Sequence, residues 1–441
     1  MKKKEICSFL FVLLLIGFFL LPLSAEVPME QAIRDGIKLN KTYRNHVVET
    51  RSLELAKKNA RMRRWFNLNS GASYLYKSDQ MEISFPDMSP VPGVVIPGSS
   101  MLVGAKHNYD IKLSLTQPIF TGNILASAAK LESLKLAVEE NRVRLSRIEA
   151  ASEIKRSYFN CRLLRNRLNS LHILIKQLQL HYRKLQDYFR EELIRKSDLL
   201  ETEAKIREQE LSLRDLQNLV ENEKIYFKTL CGYDIDEVET GYFEKSGDFD
   251  RAFTEFKTAH PVFKALDEQL KGFHIREKMV NGAYLPQVGG FAEIHYGKPG
   301  IDFFQNEWSL YFQGGISIDL KIFDWNKRKR DVQIIRCSME KIENERADFV
   351  NVGERRLKQL FSARTASESK LETVNKLIRI AVEDIRLKED LLKEQQIDNI
   401  DYLSALTRKE RCESMKNTIE AQLEIIKVNI NQLVGKFEEV R

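Results

Sequence analysis

Moved along by 203 residues, the chain falls on itself. Ile119-Phe120 meets Ile322-Phe323, Asn123 meets Asn326, Glu140-Asn141 meets Glu343-Asn344, and Lys155 meets Lys358. Further on, Asp198 meets Asp401, Leu200 meets Leu403, and Leu230 with Gly232 meets Leu433 with Gly435. The register carries the weight, because the stretch from Ile119 to Gly232 needs no gap. Upstream, Trp65-Phe66 pairs with Tyr284-Leu285 at an offset of 219, which gives the first copy 16 extra residues. Prolines 86, 90, 92 and 97 with Gly93 and Gly98 place that excess in a long irregular loop between Ser78 and Ala105. A chain written twice folds as two copies of one supersecondary unit.

Each copy reads as helix, two strands, very long helix, shorter helix. In the long helix Cys161, Leu164, Leu168, Leu171, Ile175, Leu178, Tyr182, Leu185 and Phe189 alternate steps of three and four, a coiled-coil seam. The second copy repeats it with Leu371, Val374, Ile378, Ala381 and Ile385, then weakens at Lys388. Past Asp198 the seam resumes at Leu199 and Ile206; past Asp401 it resumes at Tyr402, Ala405, Cys412 and Ile419. From Asn123 to Arg190 is 68 residues, about 100 Å of helix at 1.5 Å per residue. The helix from Pro28 to Arg64 and the one from Asp198 to Gly232, laid end to end, pair antiparallel with it over nearly its full length. Composition agrees, with 43% apolar and 30% charged residues but only 20 Gly and 10 Pro in 441. That excludes collagenous, disulfide-scaffold and disordered classes.

The strands alternate. Tyr109, Ile111, Leu113 and Leu115 interleave with Asp110, Lys112, Ser114 and Thr116. Trp308, Leu310, Phe312, Ile316, Ile318 and Leu320 interleave with Ser309, Gln313, Ser317, Asp319 and Lys321. Phe66 to Tyr76 and Val288 to Tyr296 follow the pattern more weakly. With aromatics at the strand ends, this suits a barrel with lipid outside and water inside. Asp110, Lys112, Asp319 and Lys321 are then lumen-facing strand residues. Four strands leave two open edges, which hydrocarbon does not tolerate. Three chains supply twelve strands and a water-filled lumen, so a trimer is the smallest assembly that closes and conducts.

Lys2, Lys3 and Lys4 precede the apolar run Phe9 to Leu21, and Leu23-Ser24-Ala25 offers a cleavage site, so residues 1–25 read as a signal peptide. No later run of 18 apolar residues occurs. The 70 basic and 63 acidic side chains are closely mixed, which describes solvated helix faces and gives no footprint for nucleic acid. Cys161, Cys231, Cys337 and Cys412 lack zinc-like spacing and are expected as buried small hydrophobes. No Ser-His-Asp order, Walker loop or H-E-x-x-H occurs, so neither an enzyme nor a cofactor is indicated. The run Asn326 to Arg330 follows a strand and reads as a solvated helix start or a lipid-phosphate contact.

The chain resembles the TolC family of outer-membrane efflux and secretion channels over nearly its whole mature length. The residues that carry the likeness are Met29-Glu30-Gln31-Ala32-Ile33, Gln117 to Asn123, Ser197-Asp198-Leu199-Leu200, Tyr284-Leu285-Pro286-Gln287, and Ile400-Asp401-Tyr402-Leu403-Ser404-Ala405. The resemblance implies a mainly α protein with a membrane β-barrel. In it a homotrimer closes a 12-stranded barrel in the outer membrane and continues into a periplasmic α-helical tunnel of long antiparallel helical hairpins. It implies small-molecule efflux, or type I protein secretion, with a periplasmic adaptor and an inner-membrane pump; outer-membrane lipid surrounds the barrel. A pore-less exported coiled-coil scaffold or adhesin would carry the same helices, and the strands discriminate between them.

By motif, Asp401 takes the family's acidic ring at the periplasmic constriction and Asp198 the matching place in the first copy; Ser404 stands where some members have a second acid. Leu392 and Ile397 replace polar or basic lock partners, and Glu192 and Gln395 replace turn glycines. Both Asp residues also read as helix caps. The expected segments are the signal 1–25, a first repeat 26–232, a connector 233–260, a second repeat 261–436 and a tail 437–441.

Overall fold

A computed structural model describes residues 27–91, 94–192, 195–238, 247–302, 304–393 and 399–436; the expected signal peptide and the tail 437–441 lie outside them. The first copy runs α1 (Met29–Leu39), α2 (Lys41–Met62), β1 (Asn67–Tyr76), β2 (Met81–Ser84), β3 (Met88–Val91), β4 (Val94–Ile96), β5 (Ser100–Val103), β6 (His107–Phe120), α3 (Ile124–Arg190) and α4 (Lys196–Cys231). After a short 3-10 turn, Ile235–Glu237, the second runs α5 (Phe249–Ala259), α6 (Pro261–Gly282), β7 (Gln287–Lys298), β8 (Ser309–Asp319), α7 (Lys327–Lys393) and α8 (Asn399–Val434).

The duplication holds residue for residue. Helices α3 and α7 have 67 residues each, α4 and α8 have 36 each, and each pair stands 203 apart. Left-handed backbone recurs at the same offset: Gly122 and Asn123 against Trp325 and Asn326, Gly232 against Gly435. Ahead of the strands, α1 and α5 have 11 residues each and α2 and α6 have 22 each. There the offset is 220, with Lys41 against Pro261, so the expected 219 is corrected by one residue.

Three further expectations change. The helix read as continuous from Pro28 to Arg64 breaks at Asn40, which leaves the helical region (φ −62°, ψ 119°). Its Oδ1 accepts the Tyr43 N–H at 2.9 Å and so caps α2. The same break recurs at His260, which precedes Pro261 and cannot stay helical. The segment read as a connector, 233–260, therefore contains α5, the counterpart of α1; its residues 239–246 lie outside those described. The segment between Ser78 and Ala105 is not irregular either. Strand β2 pairs with β5 and β3 with β4, both antiparallel. Pro90 sits within β3, in a two-stranded ribbon whose outer edges need no N–H from it.

The described residues divide into two compact units. In the unit built from Met1–Val48, Glu140–Lys264 and Arg346–Arg441, the core is helical. Met29, Ala32, Ile33 and Ile37 recur at helical spacing and pack on Ala150, Ala151, Ile154, Phe159, Cys161 and Phe227. A second core gathers Ala252, Phe256, Phe263, Leu357, Leu360, Ile430 and Val434. The copies divide volume differently there. Gly36 in α1 lies so close to Ile154 that a Cβ would come within 2.4 Å of its Cδ1. Its counterpart in α5 is Phe256, and the space is surrendered by Gly353 in α7, where the first copy has Ala150. Along the seam, Val374, Ile419 and Leu423 pack with Leu371 and Ile378. Cys161, Cys231 and Cys412 are buried free thiols, and burial pushes the Cys161 thiol up to about 12. Cys337 is exposed, against expectation.

In the other unit, Glu49–Glu139 with Ala265–Glu345, an antiparallel sheet has the order β1-β6-β7-β8. The registers Leu113↔Ile294 and Ile294↔Phe312 put the apolar residues of neighbouring strands side by side. Pairing of β6 slips between Pro118 and Phe120, where proline has no N–H to give. Strands β1 and β8 each keep one unpaired edge. Gly122, with φ 56°, and Gly282 meet back to back; a Cβ on Gly122 would stand 2.1 Å from the Gly282 carbonyl oxygen.

Candidate functional site

The sheet has one apolar and one polar face, and the polar face holds a connected cluster. His295 on β7 sits opposite Lys112 on β6 and Tyr311 on β8. Its Nδ1 lies 3.0 Å from Asp110 Oδ1 and its Nε2 lies 3.3 Å from Glu293 Oε2. Gln313 Nε2 donates to Glu293 Oε2 at 2.7 Å. The Tyr311 ring stacks on the imidazole at 4.8 Å with the planes 1° apart. His295 is only 7% exposed, held by the two acids and Tyr311. An imidazolium donates from both nitrogens, which satisfies both carboxylates at once. The stem of Lys112 lies along Gly71 of β1.

Two of the four expected strand residues, Asp110 and Lys112, take part in or flank this cluster. Asp319 closes the last ladder pair, with Gln287, and is exposed. Lys321 is a correction. Strand β8 ends at Asp319 because β7 begins at Gln287, and Lys321 then leaves the sheet, its ammonium 5.9 Å from the Tyr284 ring centroid. Glu293, His295 and Gln313 were the missed members. Their signal was parity, since all three fall on the polar phase of their strands.

The opposite face is apolar and open. Leu113, Ile294, Leu310, Phe312, Ile316 and Ile318 are exposed. At one end of the strands Tyr74, Tyr109, Tyr296 and Trp308 form a ring-to-ring row, with centroids 5.1 Å (Tyr74–Tyr109), 5.8 Å (Tyr109–Trp308) and 5.0 Å (Tyr296–Trp308) apart. At the other end Trp65, Phe66, Phe120, Phe323 and Trp325 are exposed. No described helix is long and apolar enough to cross a membrane.

The second candidate region is where α7 ends and α8 begins. Asp401 is exposed and is the third residue of α8, so it sits in the first turn and not at the cap position. Ser404 Oγ donates to its backbone oxygen at 2.8 Å. Lys388 Nζ reaches that oxygen at 3.4 Å and Asp384 Oδ2 at 3.6 Å, and Arg408 approaches the same Oδ2 at 3.5 Å. The faltering of the seam at Lys388 is thereby explained: a cation occupies a seam position to tie one helix to the next. Asp198 is likewise the third residue of α4, its side chain lying outside those described, as are Leu392, Gln395 and Ile397. Glu192 has left-handed backbone, φ 60°, where a turn glycine is usual.

No family profile matches the chain, and no curated protein does. Solved structures do. The outer-membrane protein VceC of Vibrio cholerae covers 93% of this chain and 97% of its own length, at a TM-score of 0.70 and 12% identity. The CmeC outer-membrane channel of Campylobacter jejuni covers 93% and 87% at 0.70 and 14% identity. The MtrE outer-membrane channel of Neisseria gonorrhoeae covers 92% and 88% at 0.69 and 14% identity. The chain has the TolC fold. Within the TolC fold, the four-stranded sheet and the paired 67- and 36-residue helices are the parts that the sequence pattern anticipated.

Proposed function

We propose that the protein is an outer-membrane channel, the exit duct of a tripartite pump that exports small molecules. Three copies close a 12-stranded barrel, and their helices form a tunnel across the periplasm toward an adaptor and an inner-membrane pump. The observation that carries this reading is the sheet. Its apolar face is exposed and bounded at both ends by aromatic rings, its polar face holds a charged cluster, and both its edges are open. Lipid outside, water inside and a neighbouring copy at each edge satisfy all three features together. Asp401 marks the periplasmic constriction, where a threefold axis brings like charges together. Asp110 and Lys112 line the lumen.

The test is the oligomeric mass of the detergent-purified protein together with its conductance across a planar bilayer. A conducting trimer supports the channel; a soluble, non-conducting rod overturns it in favour of a scaffold. Cross-linking in cells then names the inner-membrane partner, and a dedicated protein exporter in place of a small-molecule pump would move the proposal to type I secretion.

A further inference from the structure

Trp325 is placed at a backbone cost, and among the described residues it gains little contact in return. Its backbone is left-handed, φ 54°, a conformation that a bulky side chain rarely adopts. The first copy has Gly122 at that position, with φ 56°. Yet the indole is 78% exposed, and among the described residues its ring contact is the edge of Phe323, 4.9 Å away. Trp65, Phe66 and Phe120 are exposed in the same unit at the same end of the strands.

Cations crowd this level in both copies but beside opposite edges of the sheet, since α2 leads into β1 and α7 follows β8. The second copy has Lys327, Arg328, Lys329 and Arg330 opening α7, where the first has Ile124, Leu125, Ala126 and Ser127. The first has Arg61, Arg63 and Arg64 at the end of α2, where the second has Asn281, Ala283 and Tyr284. Each copy therefore places a cationic cluster at this end of the strands, three side chains in the first and four in the second. Few of these cations are neutralised. Lys327 pairs with Asp331, Arg328 Nε donates to Asn281 Oδ1 at 2.9 Å, and Arg330 Nη1 donates to the Trp325 carbonyl at 2.9 Å. Among the described residues, Arg61, Arg63, Arg64 and Lys329 have no carboxylate partner. Asp324 caps the Arg328 N–H at 2.7 Å and spends its charge there.

Exposed indole and guanidinium side by side are the chemistry of a headgroup plane: amphipathic rings settle at the membrane–water interface, and cations take lipid phosphate. We propose that this band binds the headgroups of anionic phospholipids in the periplasmic leaflet, in preference to zwitterionic ones. The inference rests on the barrel reading of the sheet. In a trimer β8 of one chain adjoins β1 of the next, so the two clusters meet at each seam between chains, which gives three composite sites.

Tryptophan fluorescence tests this on the full chain in vesicles. Tryptophan occurs at 65, 308 and 325, so Trp65→Phe with Trp308→Phe leaves Trp325 as reporter. Brominated phosphatidylglycerol and brominated phosphatidylcholine are compared at equal mole fraction. The expected result is association favouring phosphatidylglycerol by about threefold or more at low salt, falling toward parity in 0.5 M salt. Arg328→Gln with Lys329→Gln and Arg330→Gln should lower the preference at Trp325 while quenching by both lipids persists, and an unchanged preference would overturn the inference. Should either variant fail to assemble, the salt series on Trp308→Phe alone, which keeps Trp65 and Trp325 and removes the tryptophan at the other end of the strands, gives the reading. Equal quenching by both lipids at low salt overturns the inference and leaves the barrel standing. Quenching by neither overturns the inference and the barrel together.

Discussion

Gly353→Ala adds one methyl group where the second helical core has no room. The new Cβ would stand 2.1 Å from Phe256 Cζ and 2.6 Å from its Cε1. Carbon atoms settle near 3.5–4.0 Å, so the ring must retreat by more than an ångström. It cannot do so freely. Phe256 is fully buried, with Phe263 at 5.4 Å, Phe349 at 5.3 Å and His260 at 5.6 Å around it. Overpacking of this kind costs about 1–3 kcal/mol, a fall of roughly 2–10 °C in Tm. The substitution is instructive because alanine is what the first copy carries at this place, as Ala150, opposite Gly36. The assay is thermal melting followed by circular dichroism at 222 nm on detergent-solubilised protein at fixed concentration. Phe256→Leu, which withdraws the ring edge, should be destabilising alone and yet recover part of the loss in the double variant, a favourable coupling of about 1 kcal/mol. An unchanged melt for Gly353→Ala, or no recovery with leucine, would refute the packing argument.

His260 supplies a pH dependence. Its Nδ1 accepts the Val262 N–H at 3.2 Å, and burial pushes its pKa down to about 4 from 6.5. The unfolded chain takes up the proton first, so this stability is whole above pH 6.5 and drains as pH falls toward 4, by as much as roughly 3 kcal/mol. His260→Asn, which copies the cap at Asn40, should flatten that slope in melts taken from pH 7 to 4. On the sheet, Leu113→Arg or Phe312→Arg should cost about 2–4 kcal/mol if near the bilayer midplane and deplete the membrane fraction, whereas Ser317→Arg on the polar face should assemble; equal loss at all three sites refutes the alternation. Asp401→Ala should raise single-channel conductance and weaken block by divalent cations at a stability cost under about 1 kcal/mol. Lys388→Ala, which cuts the tie from α7 to α8, should raise conductance without changing the block. A peptide tag inserted at residues 92–93, between β3 and β4, should be reachable by antibody on intact cells, and detection only after lysis would reverse the proposed topology.

Periodicity carried most of the fold. Steps of three and four located all four long helices, and alternation located the four strands of the sheet with their faces assigned. What escaped was set by single residues. Asn40 and His260 break helices whose apolar pattern runs on, because a side-chain cap competes locally with one more turn. Pro90 and its neighbours announced a loop, yet Met81, Ile83, Met101 and Val103 alternate well enough to pair as β2 and β5. In the polar cluster Asp110 was legible as a charge on a strand, but its partnership with His295 depends on inter-strand register, which one strand cannot reveal. Lys388 was visible only as a flaw in the seam; a charge where an apolar residue belongs is a signal worth following.

The two unpaired edges also bear on how such a protein is made. A lone copy has a sheet that neither water nor lipid accommodates: its apolar face repels the first and its open ladder the second. In a barrel closed only by three copies, the ratio of assembled to free chains rises as the square of the free-chain concentration, so dilution opens it. Supply is then a control. Under the trimeric reading, low expression would leave single copies with both edges open, whereas excess would offer β1 and β8 of different chains the chance to pair in open arrays. A partner that binds β1 or β8 during transit would raise yield without contributing anything to the finished channel.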